Sequence, residues 1–191
     1  MNTREFSLGH HTDIAHDGRA QFDRVNHYHK SQGFPISSLG TWCGYHLFIE
    51  EDGKLIQARS LDERGAHAVN SGSAKDLSEG GYNTINYRGI GICLAGNFSV
   101  HPPTLAQVVT LHDVVWDLTQ KYGSRFLLHR EVKATSCPGT DLRALIDAQH
   151  INWLKQDLTT KQNALRWATG LRRTLLERSI ARILRVLHPL P

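Results

Sequence analysis

His129 and Cys137 stand eight positions apart within Leu127-Leu-His-Arg-Glu-Val-Lys-Ala-Thr-Ser-Cys-Pro-Gly-Thr-Asp-Leu142. The stretch reads as a short apolar strand ending at His129, a tight loop, and Cys137 ahead of a Pro-Gly turn. A helix start follows at Thr140-Asp141. An imidazole and a thiolate at the two ends of one loop can converge on a single cation, and this borderline-soft pair suits zinc. Two ligands do not make a site. The obvious further donor is the pair His10-His11, at the end of the apolar run Phe6-Ser-Leu-Gly. Three protein ligands leave a fourth position for water, the layout of a catalytic zinc rather than a structural one.

These residues need a scaffold, and the chain supplies alternating strand and helix patterns. Residues 5–12 read as a strand and residues 20–32 as a helix that Gly33 stops. Trp42 to Ile49 reads as a strand, Glu51-Asp-Gly53 as a hairpin turn, and Lys54 to Arg59 as the return strand. Residues 60–88 are too polar and glycine-rich for a core element. Gly89-Ile-Gly-Ile-Cys-Leu-Ala95 is apolar throughout, which predicts a fully buried central strand. Thr104 caps a strongly patterned helix through Tyr122 that Gly123 closes. A strand over 125–129 and a helix over 141–150 complete an α/β (α+β) domain, a central mixed sheet flanked by helices, over residues 1–150.

Residues 151–191 differ, with helix formers, predicted breaks at Thr159-Thr160 and Gly170, and no strand signal. Eight of their residues are basic and two acidic, so the tail carries +6 of a total formal charge of +4 and the rest of the chain −2. That asymmetry excludes a nucleic-acid-binding core and points to a tail that meets an anionic surface. On a helical projection Leu176, Ile180, Ile183, Leu184 and Leu187 fall on one side, and Arg178, Arg182 and Arg185 on the other. The apolar side either packs on the domain or enters anionic lipid or lipopolysaccharide. Three cysteines at wide spacing give no disulfide framework, and Cys43 and Cys93 read as packed core residues. Most of the twelve histidines must be bland whatever a metal takes. No apolar run is long enough to span a membrane, and no basic-then-apolar leader precedes the first strand, so we expect cytoplasmic synthesis.

The motifs follow one another in a familiar order: His-His-Thr after a strand, Gly-Tyr-His-Leu-Phe-Ile, Gly-Ala-His-Ala, Gly-Ile-Gly-Ile-Cys-Leu-Ala-Gly-Asn-Phe, then Leu-His-Arg-Glu-Val with Thr-Ser-Cys-Pro-Gly. This succession, from Phe6 to Ile146, resembles the type 2 N-acetylmuramoyl-L-alanine amidases, which include phage lysozyme-amidases and peptidoglycan recognition proteins. The resemblance implies a mixed sheet with a zinc cleft on one side, and zinc (Zn2+) on His10, His129 and Cys137. Alternation supports one ligand from the His-His pair, since neighbouring strand residues face opposite ways. It places Tyr45 as the active-site tyrosine. Thr135 stands where some phage enzymes carry a catalytic lysine and many recognition proteins a threonine, so we expect a supporting hydroxyl there. His67, Asn86 and His46 are expected to contact substrate, and an insertion over 70–83 to lie by the cleft.

The implied reaction is hydrolysis of the amide between the lactyl group of N-acetylmuramic acid and L-alanine of the stem peptide. The expected setting is a monomeric phage-type endolysin acting on the cell wall in the host periplasm, with peptidoglycan and not nucleic acid as partner. Two alternatives stay open: a non-catalytic peptidoglycan receptor on the same scaffold, and a membrane-active lytic protein driven by the tail.

Overall fold

The computed structural model describes residues 4–68 and 83–187, and the insertion expected over 70–83 lies outside the described residues apart from Asn83. Five strands, β1 Phe6–His11, β2 Leu47–Ile49, β3 Leu55–Gln57, β4 Gly89–Leu94 and β5 Arg125–Leu128, form one sheet in the order β3-β2-β4-β1-β5. β1 is parallel to β4 on one side and to β5 on the other, β2 is parallel to β4, and the β2–β3 hairpin alone is antiparallel. A parallel strand is buried on both faces and so reads as a continuous apolar run. β4 does so, and all six of its residues are buried.

Among the described residues there are six helices: α1 Phe22–Ser31, α2 Asn83–Arg88, α3 Leu105–Tyr122, α4 His129–Val132, α5 Leu142–Leu165 and α6 Gly170–Leu187. On one face Ile90, Ile92 and Leu94 pack with Leu111, Val114, Val115 and Leu118 of α3 and with Leu142 and Ile146 of α5. Phe6, Leu8 and Leu127 pack with Ala68 and Ile85 in a second cluster, and Val25, Phe48 and Cys93 lie in a third. Alternation along β1 puts His10 in line with Phe6 and Leu8. The start of α1 has no capping side chain of its own; the buried Glu50 carboxylate accepts from Gln21 N at 2.9 Å and Phe22 N at 2.8 Å. An anion at a helix N-terminus satisfies its free amides and its dipole together. The hairpin that carries Glu50 thereby fixes α1.

Three expectations need correction. Residues 42–46 are not strand: side chains of α1 take two of their amides, Trp42 N donating to Asn26 Oδ1 at 2.7 Å and Gly44 N to His29 Nδ1 at 3.1 Å, and only at His46, whose N donates to the Gly91 carbonyl at 2.9 Å, does the chain meet β4. The polar stretch before β4 contributes a core element after all, since Ile85 and Asn86 of α2 are buried. The helix expected over 141–150 runs on to Leu165 without a break at Thr159-Thr160. Both threonine hydroxyls donate to the carbonyl four residues back, at 3.0 Å, a bond that lets threonine sit inside a helix. The other expected break is present, with the helix interrupted at residues 166–169 ahead of Gly170, whose φ is 54°.

The chain divides into two compact units, Met1–Ile146 and Asp147–Pro191. In the second, Leu154, Ala168 and Ile183 are buried. No helix among the described residues is long and apolar enough to cross a membrane.

Candidate metal centre

β1 ends in His10 and His11, and their side chains part. His11 Nδ1 accepts from Phe98 N at 3.0 Å. The His10 ring instead meets His129, Tyr45 and His67, with centroids 4.4, 5.1 and 5.2 Å away. His129 opens α4 directly after β5. The loop from there to Cys137 is closed by Arg130, whose N–H donates to the Cys137 carbonyl at 2.9 Å and whose guanidinium reaches the Gly139 and Thr140 carbonyls. One ligand atom each of His10, His129 and Cys137 lies within 4.8 Å of the others, so a single small cation can reach all three.

The donor set fits zinc. His129 Nε2 is buried with no hydrogen-bond partner among the described residues, which leaves a lone pair or N–H that a dry site would otherwise not tolerate. Burial pushes His10 well below the usual histidine range, helped by His129 and His67 nearby, and burial with the Lys133 charge pushes His129 down to about 4. Both imidazoles are therefore neutral, as metal ligands must be. Burial holds the Cys137 thiol up at about 11, and a backbone N–H from His11 partly offsets this. A bound dication would reverse that preference and favour the thiolate.

His67 is brought to this centre in a way its sequence position did not suggest. Its Nδ1 lies 3.2 Å from His10 Nε2. The ring rests against β4, where a Cβ on Gly91 would come within 2.4 Å of His67 Cγ, so only glycine admits it. Burial, with His46 nearby, holds the His67 ring well below the usual histidine range, and its Nε2 is buried with no hydrogen-bond partner among the described residues. Asn86 serves this arrangement. Its Oδ1 accepts from His67 N at 3.0 Å and Ala68 N at 3.1 Å.

Tyr45 is half-buried beside His10, and burial together with Cys93 keeps its phenol well above the ordinary tyrosine range. It is a standing donor. Thr135 Oγ1 accepts from Cys137 N at 3.2 Å, so its oxygen helps shape the loop while its proton stays available. His46 and Asn86, expected to contact substrate, are engaged within the protein. His46 is fully buried, with Nδ1 accepting from Gly91 N at 3.0 Å and Nε2 against the Glu63 carbonyl at 3.0 Å; Asn86 is buried, with Oδ1 on the backbone of residues 67–68. Glu131 is likewise occupied, accepting from Leu128 N and Arg143. A cavity of about 430 Å³, lined by Ile14, Arg24, Val25, Tyr28, His29 and Tyr45, opens beside the tyrosine.

A family profile described as N-acetylmuramoyl-L-alanine amidase matches residues 4–140. Peptidoglycan-recognition protein SD of Drosophila melanogaster is 34% identical over 152 residues, covering 75% of this chain and 74% of that protein. Peptidoglycan-recognition protein SC2 of Drosophila simulans is 31% identical over 117 residues, 58% of this chain and 55% of that protein, so the chain spans about half the length of this relative. Among solved structures, the endolysin N-acetylmuramoyl-L-alanine amidase LysCS from Clostridium intestinale superposes with a TM-score of 0.59 at 26% identity, covering 77% of this chain and 83% of that one. The mixed sheet, the order of the motifs and the profile match agree: the chain belongs to the type 2 N-acetylmuramoyl-L-alanine amidase and peptidoglycan-recognition family.

Proposed function

We propose that the protein is a zinc-dependent peptidoglycan hydrolase that cleaves the amide joining the lactyl group of N-acetylmuramic acid to L-alanine, in the manner of a phage endolysin. The observation that carries this reading is the convergence of His10, His129 and Cys137 next to a protonated Tyr45. Zinc held by those three residues would supply a Lewis acid and an activated water. The chain's own groups do the rest. His67 Nδ1, 3.2 Å from His10 Nε2, holds that ring's orientation. The Tyr45 phenol is placed to donate to the amide oxygen as negative charge develops on it, and the Thr135 hydroxyl adds a weaker donor on the loop side. Water is added across the C–N bond, leaving a lactyl carboxylate and a free L-alanine amine. The cavity beside Tyr45 offers space for the groups flanking that bond.

The relatives named as recognition proteins support a second reading, a receptor that binds peptidoglycan without cutting it. One experiment separates the two. Digested peptidoglycan is analysed by mass spectrometry for stem peptides with a free L-alanine amine, alongside metal analysis of the protein and its Cys137→Ala variant. The enzyme reading expects about one zinc per chain, the amine product, and loss of both in the variant. Binding of peptidoglycan with no amine product would establish the receptor instead.

A further inference from the structure

Most of the apolar stripe that the tail sequence offers to a membrane is covered. Ile183 is buried, Leu176, Ile180 and Leu187 are partly so, and Leu184 is 37% exposed. What α6 shows to solvent is a different surface. Leu171 is 75% exposed, and Leu175 and Val186 are exposed as well. At 100° per residue these three fall on the same side of the helix as Arg178, Arg182 and Arg185. Just ahead of the helix Trp167 is 88% exposed. Among the described residues those three arginines have no ion-pair partner, whereas neighbouring Arg173 is tied to Glu177 at 3.0 Å.

We propose that this outward face of α6, with Trp167, is an adsorption surface for an anionic phospholipid bilayer. Large apolar side chains standing in water beside unpaired arginines on one helical face match the two layers of a membrane surface, anionic headgroups and the acyl boundary below them. Tryptophan favours that depth because its ring is apolar and its N–H polar. Nucleic acid would reward the arginines but not Leu171 and Leu175. A second copy of the chain would set like charges against each other. The inference is independent of zinc and of amide cleavage, and concerns where the protein sits rather than what it cuts.

The test is co-sedimentation of the full chain with vesicles of phosphatidylcholine alone and of phosphatidylcholine mixed with phosphatidylglycerol, at low and high salt. The variants are Arg178→Ala/Arg182→Ala/Arg185→Ala and Leu171→Ser/Leu175→Ser, all at exposed positions where folding is not at stake. Adsorption is expected on the anionic vesicles only and should weaken with salt. It should fall roughly fivefold per arginine, on the order of a hundredfold for the triple variant. The leucine variant should also bind less. A control pair, Leu176→Ser and Ile183→Ser, lowers stability if the covered stripe is packing, which keeps the two faces distinguishable. Equal adsorption to neutral vesicles, or wild-type adsorption by the triple variant, overturns the proposal. So does binding to a DNA duplex with no binding to vesicles. Dimerisation that the same substitutions abolish, without adsorption, assigns the face to a second copy and overturns it too.

Discussion

Tyr45 keeps its proton because its surroundings are poor in water and lie close to Cys93, so ionisation would be opposed at any pH the fold tolerates. Tyr45→Phe removes one donor and nothing that holds the sheet. We expect turnover to fall about a hundred- to a thousandfold with zinc content unchanged, as measured by product release and metal analysis. An unaltered rate would reduce Tyr45 to packing. His67 acts one bond further out. Truncation in His67→Ala leaves His10 Nε2 without its hydrogen-bond partner, and zinc affinity should drop about ten- to a hundredfold in a chelator competition. His67→Gln, which restores a polar partner, should recover part of it. At this scale the convergence of His10, His129 and Cys137 was legible from residue type, loop spacing and motif order. The burial of His46 and Asn86 was not legible, because their partners lie far along the chain: His46 meets Gly91 and Glu63, and Asn86 the backbone of residues 67–68, and a buried amide that clamps backbone looks in sequence like one that binds substrate.

Among the elements, α3 was readable to the residue. Thr104 Oγ1 accepts from Gln107 N, and Gln107 Oε1 accepts from Thr104 N, both at 3.1 Å, a reciprocal cap at the residue expected to cap the helix. The Thr104 hydroxyl also donates to the Glu51 carbonyl at 2.7 Å. Thr104→Ala should therefore cost about 1–2 kcal/mol, the upper end of a capping loss, seen as a lower urea midpoint with unchanged zinc binding. Elements whose hydrogen bonds close locally were the easiest to foresee. β2 was overextended because the amides of Trp42 and Gly44 are taken by side chains of α1, a tertiary event that no local pattern announces. The length of α5 was missed for the opposite reason: paired threonines look like a break until their hydroxyls turn back onto the helix.

For the molecule as a whole, buried neutral histidines govern how it meets acid. An unfolded histidine takes a proton near 6.5, while burial holds folded His29 and His46 down to about 4. Between those values the unfolded chain binds more protons, so the contribution to stability is complete above about pH 6.5 and drains away as pH falls toward 4. The gap is worth at most about 3 kcal/mol per ring. Urea midpoints should accordingly be lower at pH 5 than at pH 7, and His46→Gln should flatten that difference if the variant folds. A midpoint independent of pH over this range would contradict the burial of these rings. The charge split between the two units was evident from composition, yet which face of α6 meets water was not. A helical projection separates faces, but only the fold decides which of them is covered.

The parallel pairing of β1 with both β4 and β5 has a kinetic corollary. Parallel neighbours cannot zip up from a hairpin; they meet only after long intervening segments have closed, and such long-range pairings slow folding. His10 reaches His129 and Cys137 only once β1 and β5 are side by side, so the ion's seat is assembled late. A metal bound there stabilises contacts absent from the transition state, and such contacts act on escape from the native state rather than on entry to it. Stopped-flow refolding should thus proceed at one rate with or without zinc, while unfolding in denaturant slows markedly when zinc is present. Zinc would then act as a latch on the finished sheet, not as the seed from which it grows.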